Sequence, residues 1–326
     1  MSGFLRSREA LLTLVVLALL GLIAGRFPAF VAPGNLAGVF NDTAPLLILA
    51  LGQTVVILTR CIDLSVAANL ALTGMVCAML NAAAPDVPLA AILALAVAMG
   101  AVMGAINGLL VWTLAIPPIV VTLGTMTIYR GLIFVISGGE WVNSHQMGAS
   151  FTGFPRAVLL GLPVMSWIAL AILAGFFLFV ARTPLGRAFY AVGGNPHAAV
   201  YAGLNVGRTQ FWAFVVSGAL AGLTGYLWVA RYAVAYVDIA AGFELEVVAA
   251  CVIGGIAIAG GAGTILGTLL GALFLGILKN ALPVIGVSPF WQMAISGAAI
   301  VVAIAFNSRS ALGRGRIILK RAEGAA

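Results

Sequence analysis

Ten apolar runs, near residues 9–25, 44–59, 64–80, 89–114, 118–137, 158–181, 211–230, 244–259, 262–279 and 289–306, divide the chain, and mostly short polar stretches separate them. A bilayer core needs about 20 apolar residues per helix, fewer where a helix is broken inside the protein. The pattern predicts an all-α polytopic membrane protein of about ten transmembrane helices. Four of the runs are short and form two adjacent pairs, the second and third around TRCIDLS (59–65) and the eighth and ninth around AGGAG (259–263). Broken segments at matching places in two halves point to an inverted repeat, spans 1–5 against spans 6–10, and to a transport path between them.

The basic residues choose the sides, because cytoplasmic loops collect Lys and Arg. Arg6, Arg8, Arg60, Arg182, Arg187, Arg208, Arg309, Arg314, Arg316, Lys320 and Arg321 fall on one side; Arg26, Arg156, Arg231 and Lys279 fall on the other, and Arg130 lies in a span. This places both termini in the cytoplasm and reads 1–326 as one transmembrane domain with a cytoplasmic loop at 182–210 and a basic cytoplasmic tail at 307–326. Composition agrees: 63% hydrophobic and 8% charged residues cannot clothe a soluble surface of this size. The formal charge of +7 reports topology, not nucleic acid, since the bases lie between spans without an aromatic-laced stripe. Lipid is the implied solvent. Cys61, Cys77 and Cys251 are odd in number and sit in or beside apolar runs, so no disulfide framework or metal site is expected. The first run lacks a convincing cleavage site before Arg26 and is read as a retained span.

No catalytic machinery is expected. A phosphate-binding G-x-x-x-x-G-K-[ST] loop needs a lysine, and neither Lys279 nor Lys320 has that context. His145 and His197 have no triad partners, and no paired carboxylates occur. An ion-coupled carrier is the main rival class, but it places ionisable groups inside spans. Only Asp63 is placed for that, beside Arg60; a structural ion pair between the two is favoured over contact with cargo. Polar residues of the spans, Asp63, Ser65, Asn69, Thr73, Asn107, Thr122, Thr125 and Thr127, are candidates for a path, although such side chains also join membrane helices. Gly254, Gly255, Gly260, Gly261, Gly263, Gly267 and Gly271 predict close helix packing.

Within the loop, Asn195 is a good N-cap, Pro196 suits the first helical position and Gly203 suits a left-handed C-terminal cap. The predicted helix, Pro196–Ala202, is too short to stand alone and must pack on something. Ala198, Ala199 and Ala202 would form a small-residue face, with His197 and Tyr201 as larger contacts.

AAVYAG (198–203) resembles the E-A-A-x-x-x-G coupling loop of ATP-binding cassette import permeases, with His197 standing where that motif has Glu. CIDLSVAANLALTGM (61–75), IPPIVVTLGTMTIYRGL (116–132), GRAFYAVGGNPHAAVYAGLNVGRTQFWAFVVSGALAGLTGYL (186–227) and ELEVVAACVIGGIAIAGGAGTILGTLLGALFLGILKNAL (244–282) resemble the ribose, xylose and galactose type of monosaccharide import permease. TRCIDLS, SGGEWVN (137–143) and the stretch from Arg231 to Ile256 look most like the rhamnose-type members, with autoinducer-2 importers as near relatives. The pentose members carry Gly-Gly before I-D-L-S and Gly soon after; here Arg60-Cys61 and Ala67-Ala68 stand instead. The resemblance implies a multi-pass protein of the bacterial inner membrane that imports a monosaccharide, rhamnose in the first place and autoinducer-2 or a pentose otherwise. It implies no cofactor in this chain, because separate ATPase subunits bind ATP and Mg. It implies that Asn195, Pro196, His197, Ala198, Ala199, Tyr201 and Gly203 dock those subunits, and that a second permease, identical or sister, completes the path. It also implies a periplasmic sugar-binding protein docking near Glu140, Asp238, Glu244 and Glu246, against the plainer reading of solvated loop charge.

Overall fold

The computed structural model describes residues 8–288 together with 291, 294, 297, 298 and 301. Its helices are α1 (Arg8–Arg26), α2 (Pro33–Leu58), α3 (Val66–Ala83), α4 (Leu89–Leu114), α5 (Pro118–Ser137), α6 (Ala149–Gly153), α7 (Val164–Arg182), α8 (Pro184–Gly194), α9 (Pro196–Tyr201), α10 (Val206–Tyr232), α11 (Phe243–Ile253) and α12 (Ile265–Val284). Among the described residues eight are long and apolar enough to cross a membrane: α1, α2, α3, α4, α5, α7, α10 and α12. The tenth predicted run, 289–306, and the tail 307–326 lie outside the continuously described residues.

Two of the short runs are resolved differently by the structure. The run 44–59 belongs to a 26-residue helix, α2, that starts at Pro33 and continues through Pro45. Polar groups of its first half are partnered, since Ser166 Oγ donates to the buried Asn41 Oδ1 at 3.0 Å and Arg231 pairs with Asp42. The run 244–259 is the reverse case. Its sequence stays apolar, but α11 stops at Ile253, because Gly255 turns left-handed at φ +86 and the chain loops back through 254–264. At 11 residues α11 reaches only about 16 Å, half a bilayer core.

The centre is α2 against α10. Helix α10 packs on α4 and α3, while α2 packs on α12 and α11. Exchanging spans 2, 3 and 4 for spans 7, 8 and 9 maps one set of partners onto the other, as an inverted repeat requires. That exchange corrects the matching of the breaks: the 59–65 break after α2 corresponds to 233–242 after α10, not to AGGAG. Lipid gives no hydrophobic drive between helices, so contact depends on close approach. Gly100 and Gly104 on α4 face Gly218 and Gly222 on α10 so tightly that an added Cβ would lie 2.0 to 2.3 Å from a facing backbone carbonyl oxygen. Helices α11 and α12 repeat this at Gly254, Gly267 and Gly271.

Candidate functional site

A polar junction of several elements lies where α2 ends. Arg60 N–H bonds to Ile57 O at 2.9 Å and Cys61 N–H to Val56 O at 3.2 Å, a helix C-terminus of the Schellman type. The left-handed position, normally glycine, is Arg60 at φ +66, which costs about 1–2 kcal/mol. The side chain offsets that strain. Arg60 Nε donates to Gly193 O at 2.6 Å and Nη2 to Gly194 O at 3.1 Å, so the guanidinium closes the carbonyl end of α8, where a positive charge is favoured. The expected Arg60–Asp63 ion pair is therefore absent. Asp63 turns inward instead and accepts from Ser65 N at 2.9 Å and Ser65 Oγ at 2.6 Å, opening α3.

AGGAG meets the same place from the other side. Gly261 N–H bonds to Leu58 O at 2.9 Å, Tyr190 Oη donates to Gly263 O at 3.0 Å, and Gln210 Nε2 donates to Thr59 O at 3.2 Å. Burial pushes the Tyr190 phenol above its usual pKa, which keeps it a neutral donor. The two breaks in the helical pattern, remote in sequence, are thus bonded to each other and to α8. The observation yields a paired prediction: Arg60→Gly, which relieves strain while losing two bonds, leaves thermal stability within about 1 kcal/mol, whereas Arg60→Ala keeps the strain, loses the bonds and costs about 1–3 kcal/mol. Equal melting temperatures for the two variants would refute this balance.

Helix α9 follows directly. Asn195 caps it by accepting from Ala198 N at 3.0 Å, and Gly203 at φ +80 closes it with Gly203 N–H to Val200 O and Leu204 N–H to Ala199 O, both 2.9 Å. It ends at Tyr201, one residue earlier than expected. The small-residue face is split: Ala199 is buried against the chain's own helices, whereas His197, Ala198, Val200, Tyr201 and Ala202 are exposed, Tyr201 at 93%. A six-residue helix with both ends capped thus presents an apolar-aromatic tip to the exterior.

The path candidates come together, but as a buried network. Asp63, Ser65, Asn69, Thr73, Asn107, Thr122 and Thr125 are each at most 4% exposed. Asn107 Nδ2 donates to Ser65 Oγ at 2.8 Å, Asn69 Nδ2 to Gly100 O at 3.1 Å and Thr122 Oγ1 to Ile62 O at 3.2 Å. The Gln53 amide, in the orientation that satisfies both its ends, spans the backbone of Asp63 at 3.1 and 3.2 Å. Within one chain Ser65, Asn69, Asn107 and Thr122 therefore tie separate elements together, while Thr73 and Thr125 bond within their own helices; of the eight, only Thr127 is exposed. The four acids assigned to the opposite face also part company. Glu246 pairs with Lys279 at 2.8 Å, Asp238 and Glu244 line a cavity with Arg130, and Glu140 is exposed. Among the described residues no group of His, Cys, Asp and Glu could hold a metal ion.

Sequence reasoning missed Gly193, Tyr190 and Gln210, because nothing local marks a residue that bonds a segment 73 to 151 positions away. It also passed over the G-x-x-x-G spacing of Gly100, Gly104 and Gly108, a signal that was present.

Residues 35–304 match the family model described as the permease component of branched-chain amino acid transport systems. The chain is similar to the ribose import permease protein RbsC of Bacillus subtilis, at 37% identity over 282 residues, 86% of this chain and 87% of that one. It is similar to the autoinducer 2 import system permease protein LsrC of Enterobacter sp. strain 638, at 35% identity over 310 residues, covering 95% and 89% of the two chains. The RbsC of Escherichia coli K12 is 35% identical over 309 residues, 94% of this chain and 95% of that one. No solved structure matches the chain.

Proposed function

Because the chain belongs to the family of the permease component of branched-chain amino acid transport systems, we propose that it is the membrane subunit of an ATP-driven bacterial sugar importer. A separate ATPase docks on α9, and a periplasmic binding protein delivers the cargo to the opposite face. The observation that carries this reading is the exposed, doubly capped α9, continuous with an α8 bonded to both breaks. A pull or push on α9 is thereby delivered to the ends of α2 and α11 and not lost in a loop. The face bearing α8 and α9 is then cytoplasmic, the side that basic loops prefer, and both termini lie on it. The chain sits in the inner membrane as one permease domain, works as a pair with an identical or sister copy, and carries no cofactor, ATP and Mg being held by the ATPase.

Relatives named for ribose and for autoinducer 2 support a small polyhydroxylated cargo over an amino acid. Within that class we favour rhamnose, on the resemblance of TRCIDLS and SGGEWVN, with autoinducer-2 or a pentose as the alternatives. An ion-coupled carrier is the rival of a different class. The buried Asp63 is the one feature that suits it, and the exposed α9 has no task in it.

The test uses α9 itself. Gly203 is unsuitable, since its left-handed backbone would strain under any larger residue. Ala198 is exposed in ordinary helical geometry. We predict that Ala198→Arg lowers uptake and co-purification of the ATPase at least about tenfold, the loss of roughly 1.4 kcal/mol of docking, while His197→Glu retains both. Full uptake by Ala198→Arg, or uptake driven by an ion gradient in liposomes holding this chain alone, would remove the ATPase from the account.

A further inference from the structure

A cavity opens on the face opposite α9, between α5 and the segment joining α10 to α11. It is an open cavity of about 470 Å³ lined by Thr127, Arg130, Gly131, Phe134, Asp238 and Glu244, among others. That volume falls in the range of about 300–1,000 Å³ typical of small-molecule sites. Three charged groups share it without pairing. The two ion pairs among the described residues are Arg231–Asp42 and Lys279–Glu246, so Arg130 has no carboxylate within 4.0 Å although Glu244 and Asp238 line the same cavity. The guanidinium is fixed through Nη1, which donates to Ile239 O at 2.7 Å and Val237 O at 3.1 Å. Those bonds hold the α10–α11 connection in place, and the remaining donors of Arg130 have no hydrogen-bond partner among the described residues.

Opposite charges that line one cavity and stay apart leave room for a bridging ligand. We propose that this cavity is a cargo-contact site for a neutral polyhydroxylated molecule, its hydroxyls bridging Arg130 to Asp238 and Glu244; the proposal rests on the importer reading. A hydroxyl donates and accepts at once, so adjacent hydroxyls can satisfy a guanidinium and a carboxylate together. Thr127 adds a further hydroxyl partner, and the exposed ring of Phe134 offers an apolar wall for the C–H face of a sugar. One positive and two negative groups disfavour a phosphorylated or carboxylated cargo. The cavity also sits beside the break that corresponds, by the repeat, to the one clamped by Arg60. A ligand here and a nucleotide-driven movement at α9 thus act on equivalent joints at opposite ends of the fold.

The test measures uptake of radiolabelled L-rhamnose and D-ribose by the complete transporter in proteoliposomes at saturating binding protein. Asp238→Asn with Glu244→Gln removes the acceptor charges at constant shape. Gly131→Leu fills the cavity, and its Cβ would meet no atom within 4 Å, so folding is not taxed. Both variants are expected to import at least about tenfold more slowly, the effect of losing a charge-assisted hydrogen bond or the space for the ligand, with the binding protein still captured. Wild-type rates in both variants would overturn the site. Loss of binding-protein capture in step with uptake would also overturn it, by making the acids a docking surface. Failure of the wild-type transporter itself to import either sugar would strike the importer reading first, and so is distinguishable from both.

Discussion

Gly193→Ala is expected to abolish transport and to lower stability by at least about 3 kcal/mol, whereas Gly194→Ala, one residue away, changes neither. The added Cβ at 193 would lie 1.7 Å from Leu58 O and 2.5 Å from Gly261 N, and these two atoms are themselves hydrogen-bonded at 2.9 Å. Neither is a side-chain end that can swing aside. Relief requires moving α8 as a body away from the end of α2, and that also breaks the Arg60 bonds to Gly193 O and Gly194 O. Overpacking typically costs about 1–3 kcal/mol when side chains can yield, and more when backbone must move. At Gly194 a Cβ would meet nothing within 4 Å. Thermal unfolding in detergent, beside sugar uptake at matched membrane levels, separates the two variants; similar behaviour would mean that the junction is looser than the structure has it.

The second large effect belongs to the crossing of α4 and α10. Gly222→Ala would bring a Cβ to 2.0 Å from Ala96 O, and Gly104→Ala to 2.2 Å from Phe214 O. Both are expected to cost about 3 kcal/mol or more and to deplete the protein from membranes, because in lipid this contact is held by close packing and not by exclusion of water. Gly124→Ala on α5 has no atom within 4 Å of its new Cβ and should accumulate normally. Immunoblots of the three variants against wild type decide the matter. Normal levels of Gly222→Ala would show that the two helices can separate without loss of the fold.

Much of this fold was legible because lipid imposes length and hydropathy on every span. The expected runs 89–114 and 118–137 coincide with α4 and α5. Boundaries failed where polarity and depth disagree. Asn41 and Asp42 fell outside the expected run 44–59, yet they sit in α2, where tertiary partners satisfy the polar groups. Ile256 to Ile258 read as helix, yet left-handed Gly255 ends α11 before them. Helix α9 was legible for the opposite reason, since Asn195, Pro196 and Gly203 are local signals that no distant contact overrides. What it touches inside its own chain was not legible. Arg60 beside Asp63 suggested an ion pair, and only the folded chain brings the carbonyls of Gly193 and Gly194 within reach of the guanidinium.

The central claim is that α9 hands the movement of a docked ATPase to the bonded breaks. Its most direct test is a photo-crosslinking amino acid in place of Tyr201, the 93% exposed tip of α9, activated in native membranes. The account predicts a covalent adduct with an ATPase subunit whose yield changes between ATP-bound and nucleotide-free states. An adduct only with lipid or with the chain itself, in membranes that still import sugar at the normal rate, would contradict it.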